Sequence, residues 1–275
     1  MTLHAVDYRK KPRFAVDLSF DGGEGFDDEP IMEYVASVNI ACGGHAGDER
    51  SMRKAARIAL RRFVAINAHP SYPDTAGFGR ATTEISPEEL ELSLMTQIET
   101  LRNIVRQEEG ELVGVKPHGT LYHEAARSTE VAQALARAAH EVSARLVLVT
   151  SPGSKLLEEG AALEMAVAVE GFADRAYRPD GTLVPRGEPG ALVTDSHAAA
   201  AQALSIVRER RVRTTDGSFH DLRVDTLCLH GDTPGARAIG RAVRTALLKA
   251  EVVVRPLRGW QPPGPDPGPP PMPSR

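Results

Sequence analysis

The residues best equipped for chemistry fall in five short polar segments: DLSFDGGEG from Asp17, ACGGHAGD from Ala41, NAHPSYPD from Asn67, KPHGTLYHE from Lys116 and LHGD from Leu229. Five of the nine histidines lie in them. Asp17, Asp21 and Glu24 crowd three carboxylates into one segment. Three such groups cannot all ionise without a cation or donors beside them, which suits one of them to general acid or base work. The plainer alternative is a solvated acidic loop continuing through Asp27, Asp28 and Glu29. In the second segment Gly43, Gly44 and Gly47 surround His45, and Asp48 and Ser51 can cap a following helix. That places His45 near amide donors able to hold an anion, unless Asp48 is only a cap and His45 only a loop residue.

His69-Pro70 and Pro117-His118-Gly119 each set an imidazole beside a residue that fixes or frees the backbone. Imidazole titrates near neutrality and can move a proton, and Lys116 can stabilise an oxyanion or a phosphoryl group. His230-Gly231-Asp232 repeats the imidazole-plus-acid pattern, while Asp174, Arg175 and Arg186 offer an ion pair and a fork for a carboxylate. Asp21, His45, His69, His118 and His230 could also ligate a divalent ion. No compact H-x-x-x-H or C-x-x-C signature accompanies them, so the sequence requires no metal and leaves Asp21, His45, His69 and His118 as its possible ligands. Cys42 and Cys228 fit buried thiols. Gly153-Ser154-Lys155 lacks the preceding glycine of a P-loop.

Each segment follows an apolar run that reads as a short buried strand: Phe14 to Leu18, Val38 to Ala41, Phe63 to Asn67, Leu112 to Val115 and Thr226 to Leu229, with further runs at Leu146 to Thr150 and Met165 to Val169. Many show no alternation, as expected of strands covered on both faces. Between them lie helical patterns. Ser51 to Arg62 puts Met52, Ala55, Ala56, Ala59, Leu60 and Phe63 on one stripe, and Ser86-Pro87-Glu88-Glu89 is a capping box opening a helix that stops at Gly110. Ser128 to Ala139, Ser196 to Arg210 and Pro234 to Ala250 repeat the type. Strands alternating with helices imply parallel strands with crossovers. Polar segments at nearly every strand end favour a closed barrel over an open sheet, whose ligands gather at one switch point. The expected fold is therefore α/β, an irregular β/α barrel of seven or eight strands, with Val252 to Val254 as a possible closing piece. A hairpin or lid near residues 171–194 carries the turn Pro179-Asp180-Gly181.

The chain has 275 residues, 41% of them hydrophobic, enough for one barrel domain over residues 13–258. A net charge of -4 without clustered Lys and Arg argues against nucleic acid and anionic membranes as partners. No run approaches the roughly twenty apolar residues of a membrane span. Two cysteines exclude a disulfide framework, and a cytoplasmic location is the default. Residues 1–12 read as a loose end and the Pro-rich residues 259–275 as a disordered tail.

Taken in order, DLSFDGGEG, VNIACGGHAGD, AINAHPSYPD, the FGR of residues 78–80, VKPHGTLY, FADRAYRPDGTLVPR, the GALV of residues 190–193 and LCLHGD resemble the LamB/YcsF family from about Asp17 to Val254. The resemblance implies a barrel like that of glycoside hydrolases and deacetylases. It also implies ATP-dependent hydrolytic opening of 5-oxoproline (5-oxo-L-proline) to L-glutamate, with ADP and phosphate as co-products. Separate B and C subunits would be partners, with ATP bound by this chain or with them, and Mg as the divalent metal carried by ATP. On this reading Asp21, Glu24, His45, His69, Lys116 and His118 are catalytic, and Asp17, Gly43, Gly44, Asp174, Arg175, His230 and Asp232 bind substrate or phosphate. The chain departs from the family pattern at Ser19, Gly22 and Gly44, which stand for Asn, Leu and Phe, and Gly44 removes an aromatic wall beside His45. Two alternatives remain: a metal-dependent deacetylase or amidohydrolase acting alone, and a non-catalytic substrate-binding subunit.

Overall fold

Along β1 (Ala15–Gly22), Val16, Leu18 and Phe20 project to one face while Asp17, Ser19 and Asp21 project to the other, and all six are buried. The first polar segment is thus mostly strand rather than the loop after a strand. The same alternation recurs in β2 (Ser37–Ala41), with Val38 and Ile40 against Ser37 and Asn39, and in β3 (Ala65–His69), with Ile66 and Ala68 against Asn67 and His69. These strands are covered on both faces, as expected, but one face meets polar groups. The computed structural model describes residues 14–81 and 83–257, so the expected loose first dozen residues and Pro-rich tail lie outside the described residues.

The remaining strands are β4 (Leu112–Val115), β5 (Val147–Thr150), β6 (Val167–Phe172), the antiparallel pair β7 (Arg211–Arg213) and β8 (Phe219–Asp221), then β9 (Thr226–His230) and β10 (Val253–Val254). β1 to β6 pair in parallel in chain order, β6 pairs with β9, and β9 returns to β1 with Asp17 to Asp21 opposite Thr226 to His230. Seven strands therefore close the barrel. The C-terminal strand does not close it: β10 pairs only with Ala15 and Val16 at the start of β1.

Outside lie α1 (Glu29–Met32), α2 (Glu49–Arg61), α3 (Pro87–Gln107), α4 (Gly119–Ala125), α5 (Thr129–Val142), α6 (Lys155–Ala162), α7 (Ser196–Leu204) and α8 (Ala236–Lys249). Capping boxes at Asp48/Ser51 and Ser86/Glu89 start α2 and α3. Buried aliphatics such as Leu94, Ile98 and Leu101 on α3 join the outward apolar face of the strands in one core, each contributing about 1.5–3 kcal/mol. Phe63 is not part of that stripe: α2 ends at Arg61, Phe63 takes a left-handed φ of 57°, and its side chain is 95% exposed. The single helix expected over Ser196 to Arg210 is also divided, since a π-turn over Ser205–Glu209 follows α7 and Arg210 ends it at φ 57°. α1, α4 and α6, all short, carry too few apolar repeats to be read from sequence. Among the described residues no helix is long and apolar enough to cross a membrane.

The barrel interior is held by side-chain hydrogen bonds. At its lower end Ser37 Oγ and Thr226 Oγ1 donate to Asp17 at 2.7 and 2.8 Å. Higher up, Asn67 donates to Asn39 at 3.0 Å and Asn39 donates to Asp21 at 2.9 Å. Gly114 faces Asn67, and a Cβ there would collide with the Asn67 amide. Burial raises the Asp17 carboxyl from its ordinary value to about 7, against the pull of the two hydroxyls. Between the ordinary value of 3.8 and about 7 the folded protein keeps a proton that the unfolded chain releases. Its contribution is complete below 3.8 and declines as pH rises toward 7. Thermal melting of the native chain should therefore weaken from pH 5 to pH 8 more than that of Asp17→Asn, and equal slopes would refute the assignment.

Candidate active site

Parallel strands deliver their C-terminal ends to one rim, and the last inward side chains of β1, β3, β6 and β9 meet there with Lys116, the residue after β4. Lys116 Nζ lies in the barrel axis, 2.7 Å from Asp21 Oδ1, 3.1 Å from Glu170 Oε1 and 3.1 Å from Cys228 Sγ. Burial alone would raise Asp21, yet the Lys116 ammonium, aided by His69 and His230, holds it well below the usual carboxylate range. Lys116 is held well above its ordinary value by the same pairing despite desolvation. Glu170 behaves oppositely: burial, reinforced by Asp21, raises it in spite of Lys116. One ammonium thus anchors an ionised carboxylate and a carboxyl biased toward its neutral form. Burial and the Asp21 charge keep Cys228 a thiol, and burial pushes Cys42 up to about 12.

Above this pair three histidines surround Glu24. Its Oε1 is 3.1 Å from His45 Nε2, 3.3 Å from His118 Nδ1 and 3.8 Å from His69 Nε2. Burial lowers His45 to about 4, which leaves its ring neutral at neutral pH, and burial lowers His118 as well. Burial opposes ionisation of Glu24, but its contacts with His118 and His45 hold it below its ordinary value. The His45 and His118 rings stack with centroids 3.6 Å apart, and Phe78 stands edge-on to both. Phe78 and Gly79 both have positive φ, at 55° and 65°, and a Cβ on Gly79 would collide with His45 and His118. The FGR loop therefore caps the cluster through a left-handed turn that leaves the Phe78 carbonyl against His118.

His230 is buried, but its side chain is the most exposed of the four rim imidazoles. Asp174 accepts from its Nδ1 at 2.9 Å and from its backbone N–H at 2.9 Å, and Thr233 Oγ1 donates to the same carboxylate. Burial would raise Asp174, but His230 and these donors bring it below its ordinary value. The ring stacks on Phe172 and turns Nε2 toward Asp21, 4.0 Å away. Arg186 from the segment of residues 171–194 donates to Asp232 at 2.9 and 3.1 Å, and Arg80 of the FGR loop reaches the same carboxylate at 3.3 Å. That segment turns back on itself: Tyr177 bridges Leu183 in antiparallel fashion around Gly181, whose φ is +82°.

Most of the residues singled out in the sequence converge: Asp21, Glu24, His45, His69, Lys116, His118, Asp174, His230 and Asp232 all line this rim. Asp17 does not, because it sits at the other end of β1. Gly43 is committed to its own loop, its N–H donating to Ala46 O, so that amide is not free for an anion. Asp174 and Arg175 point apart as neighbours on extended chain: Asp174 goes to His230, and buried Arg175 donates to the Val184 carbonyl. Gly44 leaves no opening, since a Cβ there would collide with Gln97 and Ser71, and Phe78 supplies the aromatic wall beside His45. Glu170, Asn39 and Asn67 were not singled out. For Glu170 the signal was a lone acid inside the apolar run VAVEGF. Two groups could hold a metal ion: Glu24 with His45, His69 and His118, and Asp21 with Cys228 and His230.

The family model described as LamB/YcsF family matches residues 16–262. Proteins named as the A subunit of 5-oxoprolinase align along nearly their whole length. The one from Methylococcus capsulatus is 46% identical over 251 residues, 89% of this chain and 96% of its own. That from Chloroflexus aggregans is 47% identical, covering 88% of this chain and 98% of its own. The crystal structure of a lactam utilization protein from Thermus thermophilus superposes with a TM-score of 0.83 at 41% identity, covering 88% of this chain and 99% of that one.

The buried charges predict a measurable coupling. Lys116→Met leaves Asp21 buried without its cation and should destabilise by about 3–5 kcal/mol. Adding Asp21→Asn should recover part of that loss. A urea-denaturation double-mutant cycle reads the coupling, and strictly additive losses would contradict the pairing.

Proposed function

The chain belongs to the LamB/YcsF family, and we propose that it is the A subunit of a 5-oxoprolinase, hydrolysing 5-oxo-L-proline to L-glutamate with ATP and with separate B and C subunits. The observation that carries this reading is the near full-length identity to proteins bearing that name, joined to a rim built for proton transfer. ATP, with its Mg, supplies the phosphoryl group that activates the unreactive lactam carbonyl. Guanidinium donors at the rim suit phosphoryl or carboxylate oxygens: Arg80 and Arg186 converge on Asp232.

The chain's own residues then divide the work. Asp174 accepts the Nδ1 proton of His230, which leaves Nε2 as a lone pair directed into the site. His230 takes the proton of the water that attacks the phosphorylated carbon and returns one to the ring nitrogen as the C–N bond opens; a second water then hydrolyses the γ-glutamyl phosphate left behind, releasing phosphate and L-glutamate. Lys116 stabilises the negative charge that the phosphoryl group brings to the carbonyl oxygen, and Asp21 and Glu170 keep its ammonium fixed. The histidines around Glu24 form the opposite wall and confine the lactam.

The test is 5-oxoproline-dependent ATP hydrolysis with this chain alone and with its B and C partners. Turnover should require this chain, and His230→Ala and Asp21→Asn should each lose at least ~100-fold with an unchanged circular dichroism spectrum. A partner complex fully active without this chain, or with His230→Ala, would reject the reading.

A further inference from the structure

We infer that Glu24, His69 and His118 form a binding site for a divalent first-row metal ion at the barrel mouth, with His45 fixing the carboxylate. Two hydrogen bonds on the far sides of the rings set which nitrogens turn inward. His69 Nδ1 lies 2.7 Å from the Lys116 carbonyl, and His118 Nε2 lies 3.0 Å from the Phe78 carbonyl. A carbonyl oxygen only accepts, so each of these nitrogens carries a hydrogen, and the other nitrogen of each ring is the one turned inward. His69 Nε2 and His118 Nδ1 therefore face one another 3.0 Å apart, with room for at most one hydrogen between them, and Asp21 Oδ2 lies 3.5 Å from the former.

Glu24 Oε1 completes the triangle at 3.3 Å from His118 Nδ1 and 3.8 Å from His69 Nε2. Three potential metal-ligand atoms thus meet in a buried space, with at most one hydrogen to share between the two rings. They repel unless a cation lies among them. A single proton bridges one of these contacts at a time, whereas a metal ion satisfies all three. The spacing agrees: an ion with arms of ~2.0–2.1 Å in tetrahedral geometry has donor–donor edges of about 3.3 Å.

The surrounding charge points the same way. Lys116 neutralises Asp21, but among the described residues the ion-pair partners of Glu24 are the three histidines alone. His45 Nε2 donates to Glu24 Oε1 at 3.1 Å and orients it, as an outer residue does for a ligating carboxylate. The stacking of His45 on His118 suits it to that outer place, since two parallel rings cannot both direct a lone pair at one ion. Backbone carbonyls orient the two ligand histidines in the same manner. Two imidazoles and one carboxylate leave a coordination position open, the arrangement of a site that binds water or a substrate oxygen.

The test uses cobalt(II) alone, titrated into the chelator-treated full chain without lactam, ATP or partner subunits, so its outcome is separate from that of the lactam assay. We expect one ion per chain, visible d–d absorption, and competition by zinc(II). His69→Ala and His118→Ala should each weaken cobalt binding at least ~100-fold, Glu24→Gln and His45→Gln by ~10–100-fold, and His230→Ala should retain it. X-ray absorption of the unsubstituted cobalt-loaded chain gives a second measurement independent of variant folding, and should show two imidazole ligands. Absence of cobalt and zinc binding, unchanged binding in both histidine variants, or an ion without imidazole ligands would each overturn the site.

Discussion

An ammonium buried in the axis of a barrel is costly unless its counter-charges arrive with it, and most of this structure can be understood as the arrangement that meets that condition around Lys116. Desolvating an ion costs several kcal/mol even after relaxation. Asp21 from β1, Glu170 from β6 and Cys228 from β9 reach Lys116 from three different strands. Their registers must therefore be correct together: a slip of one residue in any of them would turn its polar side chain into the apolar layer. The ion pair is thus as much a statement about strand alignment as about chemistry.

The polar interior also divides labour within the fold. Cohesion comes from the outer layer, where Leu18, Phe20, Val38, Ile40 and Ile66 meet the helices. The inner layer is a ladder of hydrogen bonds from Asn67 through Asn39 to Asp21, with Asp17, Ser37 and Thr226 below. Short polar side chains suit such a ladder because each can both fill space and satisfy a neighbour. The cost is charge that must be balanced locally, and the rim is where that balance is left to histidines.

Sequence pattern was enough to bring His45, His69, Lys116, His118 and His230 together, because each follows an apolar run and parallel strands share one functional end. It was less informative about where strands stop. Polarity alone ends β1 at Leu18, whereas the strand continues to Gly22 with Asp17, Ser19 and Asp21 facing inward. A polar residue inside a barrel and a polar residue in a loop have the same signature until the register is known. Glu170, Asn39 and Asn67 were obscured for that reason. Gly44 was misleading in the opposite sense: the missing aromatic side chain implies a gap, but Gln97 and Ser71 fill the space and Phe78 arrives from a loop distant in sequence.

The rim carboxylate Asp232 is held by two guanidiniums that belong to different parts of the chain, Arg80 from the FGR loop and Arg186 from the segment of residues 171–194. An anion entering between them competes with Asp232 rather than meeting free donors. Its net affinity is the difference between two partly solvated ion pairs, a quantity far smaller than either alone. Occupancy would then loosen both segments from the end of β9 at once. In the language of linkage, the grip of the rim on its own loops and its grip on a ligand draw on the same two cations.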